Sequence, residues 1–132
     1  IGERTAEELK IMLGSASVEK AQGSMQVRGR DMVTGLPRVV EVPAKEIAVA
    51  MSEIIHQILD AVKDVLEQTP PEISADVIDH GIVLTGGGAM LRHLAEMISK
   101  ETQVPAFVAN DPLDCVALGT GAILANPSLM KK

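Results

Sequence analysis

Three consecutive glycines, Gly86, Gly87 and Gly88, are the residues of this sequence best suited to holding a ligand. They follow the apolar run Ile82, Val83 and Leu84 and precede Ala89 and Met90, where a helical pattern begins. Glycine admits positive φ and lets another group approach the backbone closely. A strand end just before a helix N-terminus also offers free N–H groups to a nucleotide. The same residues suit a tight strand-to-helix turn with no ligand, and spacing alone does not separate the two readings. A dinucleotide fingerprint needs a further glycine where Leu91 stands, and a phosphate loop needs Gly-Lys-Ser/Thr where Leu91, Arg92 and His93 stand. Neither signature is met.

Near the start of the chain, Glu7 and Lys10 lie one helical turn apart, so a carboxylate and an ammonium can project together into a cleft. The carboxylate can accept from ribose hydroxyls and the lysine stem can cover an adenine face. A solvated ion pair fits the same spacing. Glu53 and His56 have the carboxylate–x–x–histidine spacing of some helix-bundle metal sites, but those sites need a second copy and only one is present. His80 and His93 have no clustered Cys or His partners, so no zinc site is expected. Cys115 lacks an evident base and reads as a small core residue of the last helix. No catalytic residue and no metal ligand is assigned.

The elements that must position these groups follow from periodicity. A capping box of Thr5 and Glu8 starts a first helix that runs to Leu13 and stops at a left-handed Gly14, with Ala6, Leu9, Met12 and Leu13 on one face. Residues 15–23 read as a loop or irregular strand. Alternation over Ser24–Arg30 and the β-branched run Arg38–Val42 predict a hairpin turning over Asp31–Pro37. After Pro43 a long amphipathic helix is expected over Ala44–Gln68, with Ile47, Met51, Ile54, Ile55, Ile58, Val62, Val65 and Leu66 at helical spacing. Pro70 and Pro71 break it, and a short helix is expected within Pro71–Asp79. Then come a strand over Gly81–Thr85, the glycine turn, a helix over Met90–Thr102, a strand over Val104–Ala109 and a helix over Asp114–Ala125. Strands alternating with helices predict a parallel pair, and 126–132 reads as a mobile tail.

Composition bounds the function. A chain of 132 residues holds one domain or two small lobes. With one Phe and neither Trp nor Tyr, the core must be aliphatic and no platform exists for stacking bases. Eighteen acidic against twelve basic residues leave a formal charge of −6, which is the wrong sign for a polyanion, so nucleic acid is excluded as a partner. A single cysteine excludes an internal disulfide and fits a reducing compartment. No run reaches the roughly 18 to 20 apolar residues of a membrane span, and no signal peptide is evident. The chain opens on Ile1 with helix-start chemistry close behind and reads as cut from within a longer protein.

Four stretches, taken together and in order, are more specific than any one motif. Gly2–Lys10 (GERTAEELK), Val27–Pro37 (VRGRDMVTGLP), Gly81–Leu91 (GIVLTGGGAML) and Asp111–Gly121 (DPLDCVALGTG) closely resemble the bacterial actin-like MreB family of cell-shape proteins, and the resemblance covers essentially the whole chain. It implies an α/β fold that is part of an actin-like ATPase. This chain would supply the second lobe only: an α+β upper subdomain over about residues 1–74, and over 75–132 the C-terminal part of a lower subdomain whose sheet is incomplete. It implies ATP binding through Glu7, Glu8, Leu9 and Lys10 on the first helix and through Gly86, Gly87, Gly88, Ala89 and Met90 at the adenosine motif. The segment around Leu118–Gly121 resembles the family's second connecting helix at the hinge between lobes. Magnesium and the phosphates would be held by residues outside this chain, so the chain alone is not expected to hydrolyse ATP.

The resemblance further implies self-association into filaments under the inner membrane, membrane-bound cell-shape and cell-wall synthesis proteins as partners, and a cytoplasmic location at the inner face of the cell membrane. Two other readings share parts of this pattern. A chaperone or sugar kinase would have the same fold, and the hairpin Val27–Pro37 favours the filament protein over both. A small non-enzymatic binding module would use the long helix as its partner surface.

Overall fold

The computed structural model describes residues 1–126 and residue 128 of the chain. Helix α1 (Glu3–Leu13) begins before the expected capping box, with Gly2 at its N-cap and Thr5 inside the first turns. The box therefore does not form, and Glu8 instead pairs with Arg4 at 3.5 Å. Glu3 in the first turn suits the positive end of the helix dipole. Gly14 ends the helix with φ −56° and ψ 139°, which is not left-handed. Glycine is needed there for room, as described below. Of the four expected apolar positions, Leu9 and Leu13 are buried while Ala6 and Met12 are exposed, because α1 leans on its neighbours along a single i, i+4 line.

The hairpin forms as its alternation predicts. Strands β1 (Ser24–Arg30) and β2 (Pro37–Pro43) pair antiparallel, with Val27 opposite Val40 and Met25 opposite Val42. Asp31 builds the turn: its Oδ1 accepts from the N–H groups of Val33 and Thr34, both at 2.9 Å, and its Oδ2 accepts from Arg38 Nη1 at 3.0 Å. Those backbone N–H groups, then Arg38, hold the Asp31 carboxyl below its usual range.

Helix α2 (Ala44–Glu67) carries more apolar residues than one stripe can bury. The stripe that wins is Ala44, Ala48, Ile55 and Leu59, since small side chains at its start let α1 and β1 approach closely. Ile54 and Ile58, expected on the buried face, lie beside that stripe and stay substantially exposed. Helix α3 (Pro71–His80) follows the proline break, with Pro71 in its first turn where the missing N–H costs nothing.

The second half contains β3 (Ile82–Leu84), α4 (Leu94–Thr102), β4 (Ala106–Val108) and α5 (Cys115–Ala125). Strands β3 and β4 pair parallel, Val83 opposite Phe107, as the alternation of strand and helix predicts. Helix α4 starts later than Met90, because Gly87–Met90 winds as a short 3₁₀ turn and His93, at φ 66°, is left-handed immediately before Leu94. Cys115 is half-buried and not the core residue expected, for none of the described residues of α5 is buried. The expected tail lies, apart from Asn126 and Ser128, outside the described residues. Among the described residues no helix is long and apolar enough to cross a membrane.

Among the described residues two apolar cores result. One joins Leu9 and Leu13 to Ala21, Val27, Ala44 and Ala48. The other joins Ala16, Ile55 and Leu59 to Leu94 and Ile98, with Ile82, Leu84 and Ala106 packed around them. Residues on both sides of position 74 therefore share a core. Ile98, 1% exposed, sits between α4 and α2. Ile98→Ala should lower the stability of the chain by about 2 to 5 kcal/mol in a denaturant melt, the usual range for emptying such a site. Asp31 gives a second expectation. A carboxyl held low in the folded state stabilises it above the ordinary carboxylate range, and that contribution fades as pH falls through the lowered value. The amide resonances of Val33 and Thr34 should therefore stay constant from neutral pH to about 5 and titrate with a midpoint below about 3.9, the ordinary aspartate value. Asp31→Ala should abolish that titration.

Candidate functional site

A cleft of about 1050 Å³ opens between α1 and the glycine turn, at the upper end of the range small-molecule sites occupy. Its rim on one side is Glu7 and Lys10, and on the other Gly87, Gly88, Ala89 and Met90. Its apolar floor comes from α2 through Met51, Ile54 and Ile58, with Val83 of β3 and Leu113 completing it. The exposure of Ile54 and Ile58 is thus the exposure of a cleft wall.

The two charged residues of the rim form an ion pair. Lys10 Nζ lies 2.6 Å from Glu7 Oε2, both side chains are about half exposed, and among the described residues neither belongs to a larger network. Such a pair holds two polar groups at the cleft mouth without locking them, since half-exposed pairs of this spacing contribute little to stability.

On the opposite wall the glycines act for different reasons. Gly86 has φ 81°, a conformation that disfavours any side chain, and its N–H donates to the Pro112 carbonyl at 2.7 Å. Gly87 and Gly88 do not have positive φ, so the freedom that glycine admits is used at Gly86 alone of the three. A Cβ on Gly87 would make ordinary contact with Leu113 at 3.5 Å, and one on Gly88 would meet nothing within 4 Å. Their smallness leaves the cleft wide.

The structure brings Glu7, Lys10, Gly87, Gly88, Ala89 and Met90 to one cleft from opposite halves of the chain. It does not bring Glu8, Leu9 or Gly86 to that lining: Glu8 points toward Arg4, and Leu9 is in the first core. Sequence reasoning missed the floor residues of α2, which it assigned to the core, and missed Gly14 and Arg92. Ile54 and Ile58 had a signal in the excess of apolar positions on α2. Arg92 had none, because its partners are some eighty residues away in sequence.

The family model of the MreB/Mbl protein matches residues 1–132, the whole chain. The chain belongs to the MreB/Mbl family. It is 48% identical over 132 residues to the cell shape-determining protein Mbl of Bacillus subtilis (strain 168), covering all of this chain and 40% of that protein. Against the cell shape-determining protein MreB of Escherichia coli (strain K12) it is 45% identical over 124 residues, 94% of this chain and 36% of that one. The structure is similar to that of MreB5 of Spiroplasma citri bound to ADP, with a TM-score of 0.89 and 36% identity over 99% of this chain and 39% of that one. The architecture is therefore part of the actin-like MreB fold, and the chain spans about 40% of the length of the MreB/Mbl relatives it matches.

If the Glu7–Lys10 pair is a cleft group and not a brace, its removal should leave the MreB/Mbl fold intact. Glu7→Ala and Lys10→Ala should each change stability by no more than about 0.5 kcal/mol, as measured by thermal or urea unfolding. A loss several times larger would show that the pair holds α1 in place.

Proposed function

We propose that this chain carries the nucleoside-binding side of an ATP-binding, filament-forming cell-shape protein. One observation carries the reading: a chain of the MreB/Mbl family folds so that Glu7 and Lys10 face the Gly87–Met90 turn across an open cleft. The nucleotide in the Spiroplasma relative supports it further.

In this reading the adenine lies over the apolar floor, Gly87 and Gly88 leave room for the nucleoside, the Glu7 carboxylate accepts from ribose hydroxyls and the Lys10 stem covers the base. Glu8, Leu9 and Gly86 contribute by holding α1 and the turn in shape. The residues of this cleft fit a nucleoside better than a triphosphate. The cationic side chains of its lining are Lys10, paired with Glu7, and Arg92, bonded to α1 carbonyls. Among the described residues no group of three or more His, Cys, Asp or Glu converges to hold a metal ion. The phosphates and magnesium are assigned to parts of the protein outside this chain, and so is ATP hydrolysis. Residues 1–74 and 75–132 are read as two subdomains of one lobe, joined through the second core.

The names of the relatives support a role in cell shape. Self-assembly into filaments, a cytoplasmic place at the inner membrane face, and docking to membrane-bound cell-wall synthesis proteins belong to this proposal as properties of the whole protein. The test uses the full-length protein. Gly88→Val adds a side chain where the fold has space and the cleft would lose it. Affinity for a fluorescent ATP analogue should fall tenfold or more, with the melting temperature little changed. An unchanged affinity in a folded variant would remove the cleft from consideration.

A further inference from the structure

Nothing in the local sequence of α1 or of the glycine turn fixes the distance between them, yet a nucleoside slot needs that distance defined. The contacts that span the two walls converge at the base of the cleft. The Arg92 guanidinium reaches the C-terminal end of α1, donating from Nη2 to the Met12 carbonyl at 2.9 Å and from Nε to the Gly14 carbonyl at 3.1 Å. Carbonyls at a helix end have no partner within the helix and lie at its negative pole, so a cationic fork is well matched to them. The backbones also join: Ala16 N–H donates to the Arg92 carbonyl at 2.8 Å, within a parallel bridge between Ser15 and Arg92.

Beside this bridge Ser15, 1% exposed, meets His93 Nδ1 at 3.0 Å. Because the Ser15 hydroxyl donates to the Ser17 carbonyl at 2.8 Å, the histidine nitrogen is the donor. That bond helps hold His93 in its left-handed conformation. Gly14 completes the joint by absence of a side chain. A Cβ there would lie 2.2 Å from the Lys10 carbonyl oxygen and 3.0 Å from Leu91 Cδ1.

We propose that Arg92 is a positioning residue of the nucleoside cleft, and that the Gly14–Arg92 joint sets the separation of its walls. The inference rests on the nucleotide reading above, but the joint itself can be measured without a ligand. Lys10 lies one helical turn before Gly14, whose N–H it accepts at 2.9 Å, and Met90 shortly precedes Arg92, so a displaced joint moves both rims. Helix α1 stays attached without Arg92 because Leu9 and Leu13 remain in the first core.

Four variants of the full-length protein test this. Arg92→Met keeps the stem and removes the donors, Arg92→Lys keeps the charge but not the fork, Gly14→Ala disturbs the joint from the other wall, and Val27→Ala destabilises the first core away from the cleft. Arg92→Met should weaken adenosine, ADP and ATP by one common factor of about ten, mostly through faster dissociation. Arg92→Lys should lie between it and wild type, Gly14→Ala should act in the same direction, and Val27→Ala should leave affinities unchanged. Loss confined to ATP and ADP would make Arg92 a direct phosphate ligand and overturn the proposal. An equal loss in Val27→Ala would reduce it to general stability and overturn it too. Independently, spin labels at Glu8→Cys and Met90→Cys, in a Cys115→Ala background, should give a narrow distance distribution without nucleotide that broadens in Arg92→Met. An unchanged distribution would refute the joint whether or not nucleotide binds. Wild-type protein that binds no adenine nucleotide, with the broadening present, would instead sink the nucleotide reading.

Discussion

Burial of one stripe of α2 is the constraint on which the other elements depend. Ala44 and Ala48 at its start belong to the core under the hairpin, while Ile55 and Leu59 belong to the core under the parallel strands. A helix of 24 residues spans roughly 36 Å at 1.5 Å per residue, so one rigid element reaches both. Each of β1–β2 and β3–β4 is a two-stranded sheet, too small to be stable unless something covers its face. The stripe contributes to that cover for both, directly on the hairpin and together with Leu94 and Ile98 of α4 at the parallel pair. Because it is occupied by cores, the neighbouring line of Ile54 and Ile58 is left to become the floor of the cleft.

Charge plays a smaller part. Lys63 of α2 pairs with Glu101 of α4 at 2.8 Å, and Lys20 pairs with Glu96, but all four side chains are substantially exposed. The partners hold Glu96 and Glu101 below their usual range, and Glu101 raises Lys63. In water such pairs are screened and orient surfaces more than they stabilise them. Arg92 differs because its partners are fixed backbone carbonyls, so no second flexible side chain must be ordered to meet it.

How much of this was legible depended on the range of the interaction. The hairpin and α2 were readable nearly to the residue, since alternation, the Asp31 turn and Pro43 act within a few positions. Glu7, Lys10 and the glycine turn were readable as separate places, and resemblance to the MreB family joined them before any geometry did. The Thr5 capping box failed because Gly2 and Glu3 already start the helix, a competition that a motif does not weigh. The start of α4 was misplaced because the left-handed His93 is held by Ser15, a contact with no local signature. Ile54 and Ile58 were misassigned because periodicity reports a face and not what lies against it.

Gly14 and the triplet at 86–88 show why residue type alone undetermines mechanism. Gly14, Gly87 and Gly88 line the cleft, and Gly86 adjoins them in sequence. Gly86 is constrained by its backbone angle, Gly14 by a carbonyl that would collide with any side chain, and Gly87 and Gly88 by neither. A fold selecting only for its own stability has no reason to keep the last two as glycine, because glycine costs chain entropy wherever its freedom is not used. In the proposed nucleoside-binding reading, the room a ligand needs accounts for that cost. The space they leave belongs to the same cleft as Glu7 and Lys10, so on that proposal the small residues and the polar groups meet at one opening.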